Sequence, residues 1–165
     1  MNEPTRQQRM AAIEHVVSEY TGLLSAGHYA IFGAAPWRAH AELAFRQHYR
    51  NLFDFLMGDS TGDRMVAAHF LPEGFVGIWD LPTWRSEWQE PAREYLDHLG
   101  YFRLASPVWT PHKWVARLET EAREAWRLFY AALVDEEYRR EFVRQVEMQR
   151  RELVPFHVRV EMLYT

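Results

Sequence analysis

The sequence contains no cysteine, so disulfide bonds and thiolate metal sites are excluded. Lysine is nearly missing as well, because Lys113 is the only one and arginine supplies the remaining positive charge. The formal net charge of −4 excludes a global electrostatic footprint for nucleic acid, but it allows a local cationic site. No apolar run approaches the length of a membrane span, and residues 1–9 are polar. We therefore expect a cytoplasmic protein that has no membrane partner.

The usual signatures of cofactor and metal sites are missing too. The chain has no glycine-rich phosphate loop and no nucleophile elbow. Although eight histidines are present, no glutamate is followed by histidine three residues later, and the patterns His-x-x-x-His and His-Glu-x-x-His do not occur. The sequence therefore predicts no metal and no cofactor.

What the chain does have is apolar and aromatic content sufficient for one sizeable core. Its 165 residues are 48% apolar and 15% aromatic, and they include seven tryptophans, whose rings must fill a core, an interface or a pocket. We find no internal repeat and no sign of a second domain. We predict a single domain over residues 1–165, with a core over about residues 5–153 and a tail over residues 154–165.

The spacing of apolar residues predicts an all-α bundle of four to five helices. Gly27 is expected to end the first helix and Gly58 the second, and Pro91 is expected to kink the third helix or to restart it. Asp63 is a candidate cap for a short helical turn near Met65, before a loop that lasts to about residue 82. The tail alternates in a strand-like way and is expected to pack as an extended arm. The predicted helical segments are residues 5–25, 36–57, 84–102, 110–133 and 135–153.

Polar side chains interrupt two of these apolar stretches, at residues 48–56 (the first cluster) and 93–103 (the second cluster). Buried polar groups cost free energy unless they are paired, so two such clusters indicate one shared constellation. It is either a site or a structural network that locks the helices together. The residues expected to lie close together are Arg50, Asn51, Asp54, His98 and Tyr101.

The second cluster offers a candidate catalytic pair, Arg93 and His98, five residues apart. Such a pair suits RNA cleavage without a metal, because His98 would transfer a proton near neutral pH and Arg93 would hold the phosphate. Tyr101 lies on the same helical face as His98 and would orient the imidazole or bind phosphate. The structural alternative is a surface arginine beside a histidine that belongs to a hydrogen-bonded core network.

The first cluster adds a stripe of charge, because Arg46, Arg50 and Asp54 follow one another at intervals of four residues. Asn51 lies next to Leu52 and Phe53 and is expected to point inward, with His98 or Tyr101 as candidate partners. One hypothesis is a phosphate site built from Arg46, Arg50 and Arg103. The other is a fixed structural network.

These two clusters resemble those of a group of small bacterial helical proteins of HEPN-like type. Residues 48–56 fit the first block of that group, His-x-Arg-Asn-Leu-x-Asp-Phe-Leu, and residues 98–103 fit its later block, His-Leu-x-Tyr-x-Arg. The resemblance covers roughly residues 30–133. Two positions depart from the pattern of catalytic members: Pro91 stands where a basic residue is common, and Glu94 follows Arg93 in place of a small polar residue.

The resemblance implies a helical bundle, often a homodimer, with roles in toxin, phage-defence or RNA-processing systems. Catalytic members resemble metal-independent RNases in which an arginine and a histidine face their counterparts across the dimer. RNA and a cognate antitoxin or other partner protein are the implied partners. Two functions stay open: a HEPN-like RNase or its inactive relative, and a non-catalytic helical interaction module whose polar network is structural.

Overall fold

The protein is all-α, with four helices packed together in the part of the chain that the structure describes. The structure is a computed structural model, and it describes residues 3–34, 36–58, 64–72 and 111–152. No strand occurs within those ranges, and none of their helices combines the length and hydropathy that a membrane span requires. The helices are α1 (Arg6–Phe32), α2 (Trp37–Met57), α3 (Pro111–Ala132) and α4 (Glu136–Glu152), and a 3-10 turn covers Ala67–Phe70.

The start of α1 agrees with the prediction, but its predicted end is wrong. Thr5 caps the helix reciprocally: its hydroxyl accepts from the Gln8 backbone N–H, and its own N–H donates to the Gln8 side chain at 2.8 Å. The helix then passes through Gly27 and continues to Phe32. A Cβ at Gly27 would lie 2.6 Å from a carboxylate oxygen of Glu119 and 3.2 Å from the Phe45 ring. Gly27 therefore serves close packing against α2 and α3, and it does not stop the helix.

The other described helices begin and end close to the predicted positions because their signals are local. Pro36 immediately precedes α2, and the Gly58 N–H caps its end by donating to the Asp54 carbonyl at 3.0 Å. Pro111 begins α3. The carboxylate of Asp135 accepts hydrogen bonds from the backbone N–H groups two and three residues later, at 2.9 and 3.2 Å. This cap starts α4.

Several predicted elements lie outside the described residues. These are the kinked helix at 84–102, the tail at 154–165, and most of the loop that ends near residue 82. Asp63 is also outside them. The short helical turn expected near Met65 is found slightly later, as the 3-10 turn Ala67–Phe70.

The core lies where α1 packs along α2, α3 packs against both of them, and α4 packs against α1. Phe129 is fully buried at its centre, with ring centroids 5.3 Å from Phe55 and 5.4 Å from Phe142 in edge-to-face geometry. Tyr20 stacks on Trp126 with centroids 4.3 Å apart, and burial raises the pKa of Tyr20 to about 12. Within the described residues, buried aromatic rings thus join all four helices.

Candidate functional site at the α1–α2 interface

Two residues of the first cluster contact the same carboxylate on α1, that of Glu19. His48 Nδ1 lies 2.8 Å from Glu19 Oε2, and Asn51 Nδ2 donates to Glu19 Oε1 at 3.1 Å. We call these three residues the Glu19 cluster. His48 and Asn51 are three apart on α2, so they lie on one face of that helix and reach the two oxygens of the same group. Gln47 donates to Asn51 Oδ1 at 3.0 Å and fixes the other end of the amide.

The Glu19 cluster lies at the edge of the interface. The side chains of His48 and Glu19 keep 32% and 30% of their surface exposed. Water therefore reaches the contact between His48 and Glu19, and its contribution to stability is smaller than that of a fully buried pair. Its main consequence is geometric, because it fixes the orientation of a single imidazole.

Gly22 makes room for that imidazole. It lies three residues after Glu19 on α1, and a Cβ there would stand 2.6 Å from both Cε1 and Nε2 of His48. The ring can lie against the α1 backbone only because this position has no side chain. A glycine inside a helix costs about 0.5–1 kcal/mol of stability relative to alanine, and this cost accompanies the close approach of His48 to α1.

His48 also lines a groove of about 710 Å³ between α1 and α2. The groove is lined by small residues together with hydroxyl and aromatic side chains. None of the described residues that line it is Asp, Glu, Lys or Arg. Glu19 and Asn51 line a smaller pocket of about 260 Å³. The polar and aromatic lining of the larger groove consists of Ser18, Ser25, Tyr29, Trp37, His40 and His48.

The predicted site residues divide between described and undescribed parts of the chain. In the predicted stripe of charge on α2, Arg50 is exposed and Arg46 is half-buried. Asp54 makes a long contact of 3.5 Å with Arg64, and both side chains are well exposed, so this pair contributes little to stability. The remaining predicted site residues, Arg93, His98, Tyr101 and Arg103, lie outside the described residues.

The described partners of Asn51 are therefore Glu19 and Gln47. Sequence reasoning did not assign a role to Glu19 or to His48 beyond its place in the first block. A signal for Glu19 existed, because it occupies a position between Val16 and Leu23 on the apolar face of α1. Within the described ranges, no group of three or more His, Asp or Glu side chains is placed to hold a metal ion.

The hydrogen bond from Asn51 to Glu19 predicts a measurable loss on truncation. Asn51→Ala should lower the free energy of unfolding by about 0.5–1.5 kcal/mol, because it removes the donor to Oε1. The control is Gln47→Ala, which removes an exposed side chain whose hydrogen bond goes to Asn51 alone, and it should cost less than about 0.5 kcal/mol. Urea unfolding checks both values. Equal losses for the two variants would contradict the assigned roles.

Comparisons of this chain with known protein families, with curated proteins and with solved structures give no match. Its function is therefore inferred from the residues and contacts described above.

Proposed function

We propose that this chain is a HEPN-like helical protein that cleaves single-stranded RNA without a metal ion, in a toxin or phage-defence role. One observation carries the proposal. Two residues of the segment that resembles the first HEPN-like block, His48 and Asn51, both contact the Glu19 carboxylate beside an open groove, which supports a functional role for that segment. The assignment of the catalytic groups rests on the resemblance of residues 48–56 and 98–103 to the two HEPN-like blocks.

In this proposal the reaction uses the second cluster. His98 takes the proton of a ribose 2′-hydroxyl, and the 2′-oxygen attacks the adjacent phosphorus. The bond from phosphorus to the 5′-oxygen breaks, and the leaving oxygen takes up a proton. Arg93 stabilises the charge on the phosphate, and Arg46, Arg50 and Arg103 add positive charge along the RNA backbone. The products are a 2′,3′-cyclic phosphate and a free 5′-hydroxyl.

The proposal predicts RNA cleavage in excess EDTA. Purified protein should cut single-stranded RNA to products with 2′,3′-cyclic ends, and it should leave DNA of the same sequence intact because DNA lacks the 2′-hydroxyl. His98→Ala should abolish cleavage while the melting temperature stays close to that of the wild type. The matched control is His15→Ala, which removes an exposed imidazole from α1 and should keep cleavage.

Two results together would overturn the proposal: no RNA is cut, and His98→Ala clearly lowers the melting temperature. A buried hydrogen-bonding group left without its partner costs about 1–3 kcal/mol, so destabilisation would indicate that His98 serves a structural network.

A second candidate is a non-catalytic interaction module, and a separate observation favours it. Phe32 and Trp37, on either side of the α1–α2 turn, are 72% and 70% exposed. Large apolar side chains with this much exposed surface are candidates for an interaction surface. We take a second copy of the chain as the occupant, because a two-fold axis through this end packs each ring against its own counterpart and needs no other surface.

Self-association through this end is testable by light scattering at micromolar concentration. The wild type should have twice the 19.7 kDa mass of one chain, and Trp37→Glu should shift it toward the monomer. The control is Val134→Glu, on the connection between α3 and α4, because Val134 is also 70% exposed but lies elsewhere. A wild type found only at 19.7 kDa, or equal effects of the two variants, would contradict this candidate.

A further inference from the structure

We propose that His69 is a pH-sensitive switch in the 3-10 turn Ala67–Phe70: its neutral imidazole holds the turn closed, and protonation of that imidazole releases the turn and the Phe70 ring. The inference goes beyond RNA cleavage, because it concerns described residues alone and involves no residue of the second cluster. The turn lies on the chain that connects α2 to α3, so the switch controls how the start of that connection is attached to the helices.

The closed turn depends on one nitrogen of the His69 ring. The backbone N–H of Val66, which precedes the turn, donates to Nδ1 of His69 at 3.2 Å, and the His69 N–H donates to the Val66 carbonyl at 3.0 Å. The contact to Nδ1 is the one that a Gln or Glu side chain makes in a capping box at a helix start. Because Nδ1 accepts, the proton of the neutral imidazole lies on Nε2.

Protonation of the imidazole removes this acceptor. Both ring nitrogens of an imidazolium are donors, so the new Nδ1–H would face the Val66 N–H and repel it. Val66 is buried, with 1% of its surface exposed, so water cannot readily replace the lost acceptor. A buried backbone N–H without a partner costs free energy, and the turn relieves this cost by opening.

The turn holds the Phe70 ring in the core. Phe70 keeps 3% of its surface exposed, and its ring centroid lies 5.9 Å from that of Phe55 on α2. On α4, the centroids of Tyr138 and Phe142 lie 5.4 and 5.7 Å from it. The described residues of α2 and α4 that pack against Phe70 here are thus aromatic, and the phenol of Tyr138 is the titratable group among them. Opening of the turn would withdraw a ring that contacts both helices.

Charged groups at the start of α1 act on the same imidazole. Partial burial lowers the pKa of His69, and the positive charge of Arg9 on α1 lowers it further, whereas Glu3 acts in the opposite direction. The Arg9 guanidinium also donates from Nη1 to the His69 carbonyl at 3.2 Å, which joins the turn to α1. The closed turn therefore binds a proton less readily than an open chain, in which histidine has its ordinary pKa of about 6.5.

The closed turn consequently loses stability toward acid pH. Between the lowered pKa of the closed turn and about pH 6.5, the open state binds more protons than the closed state, so closing becomes more favourable as the pH rises. The stabilisation by neutral His69 is complete above about pH 6.5, and it is lost as the pH falls through the pKa of the closed turn.

Nitrogen-15 NMR of the imidazole tests the closed state in the wild type, with the His69 signals assigned by their loss in His69→Gln. At pH 8 we expect an unprotonated Nδ1 and a protonated Nε2. On acidification the ring should titrate below about pH 6.5, the ordinary value for histidine. A protonated Nδ1 at pH 8, or a ring that titrates at or above that value, would overturn the proposal.

Amide hydrogen exchange of the Val66 N–H tests the release of the turn. After correction for the intrinsic exchange rate, its protection in the wild type should fall at least about threefold between pH 7.5 and pH 5. In His69→Gln a side-chain oxygen can accept the Val66 N–H at both pH values, so the protection should stay constant. The matched control is His15→Gln, which removes an exposed imidazole from α1 and should behave like the wild type.

Two outcomes of the exchange experiment would contradict the switch. Constant protection of Val66 in the wild type would show that protonation does not open the turn. An equal fall in the wild type and in His69→Gln would show that another group causes the opening. Neither measurement involves RNA or His98, so its outcome is independent of RNA cleavage.

Discussion

The two oxygens of the Glu19 carboxylate lie at the edge of a helix interface, and α2 supplies a hydrogen-bond donor for each of them. His48 and Asn51 are placed for this by the helical repeat, since residues three apart share a face. Two glycines on α1 complete the arrangement. Gly22 admits the His48 ring, and Gly27 admits Phe45 and a carboxylate oxygen of Glu119. The close packing of α2 against α1, and the groove between the two helices, thus depend on these two glycines as much as on the side chains that form hydrogen bonds.

The helix bounds show which parts of a fold are encoded locally. The starts of α2, α3 and α4 and the end of α2 could be predicted because a proline, a glycine or the capping carboxylate of Asp135 marks each one within a few residues. The end of α1 carries the same kind of signal, since the Gly33 N–H donates to the Tyr29 carbonyl at 2.9 Å, but Gly27 offers that signal six residues earlier. Gly27 resembles a helix stop in the sequence, but its role is to make space for residues of two other helices. Nothing within α1 itself carries that information.

The candidate site also combines features that are encoded locally with features that only tertiary packing creates. The polar character of the first cluster was evident from Asn51 and its neighbours, and the structure joins two of its members. Glu19 was not found, because it is 29 residues from His48 in the chain and only tertiary packing brings the two together. Its position on the apolar face of α1 was the available signal, and a single acidic residue there is weak evidence. The second cluster stays a prediction, since it lies outside the described residues.

The account as a whole requires that Glu19 and His48 interact specifically, and the coupling free energy between them measures this most directly. Unfolding free energies of the wild type, Glu19→Ala, His48→Ala and the double variant form the necessary cycle. We predict a favourable coupling of at least about 0.5 kcal/mol, which is the lower end expected for side chains in direct contact. Additive losses would show that the two side chains do not support each other, and they would contradict the account.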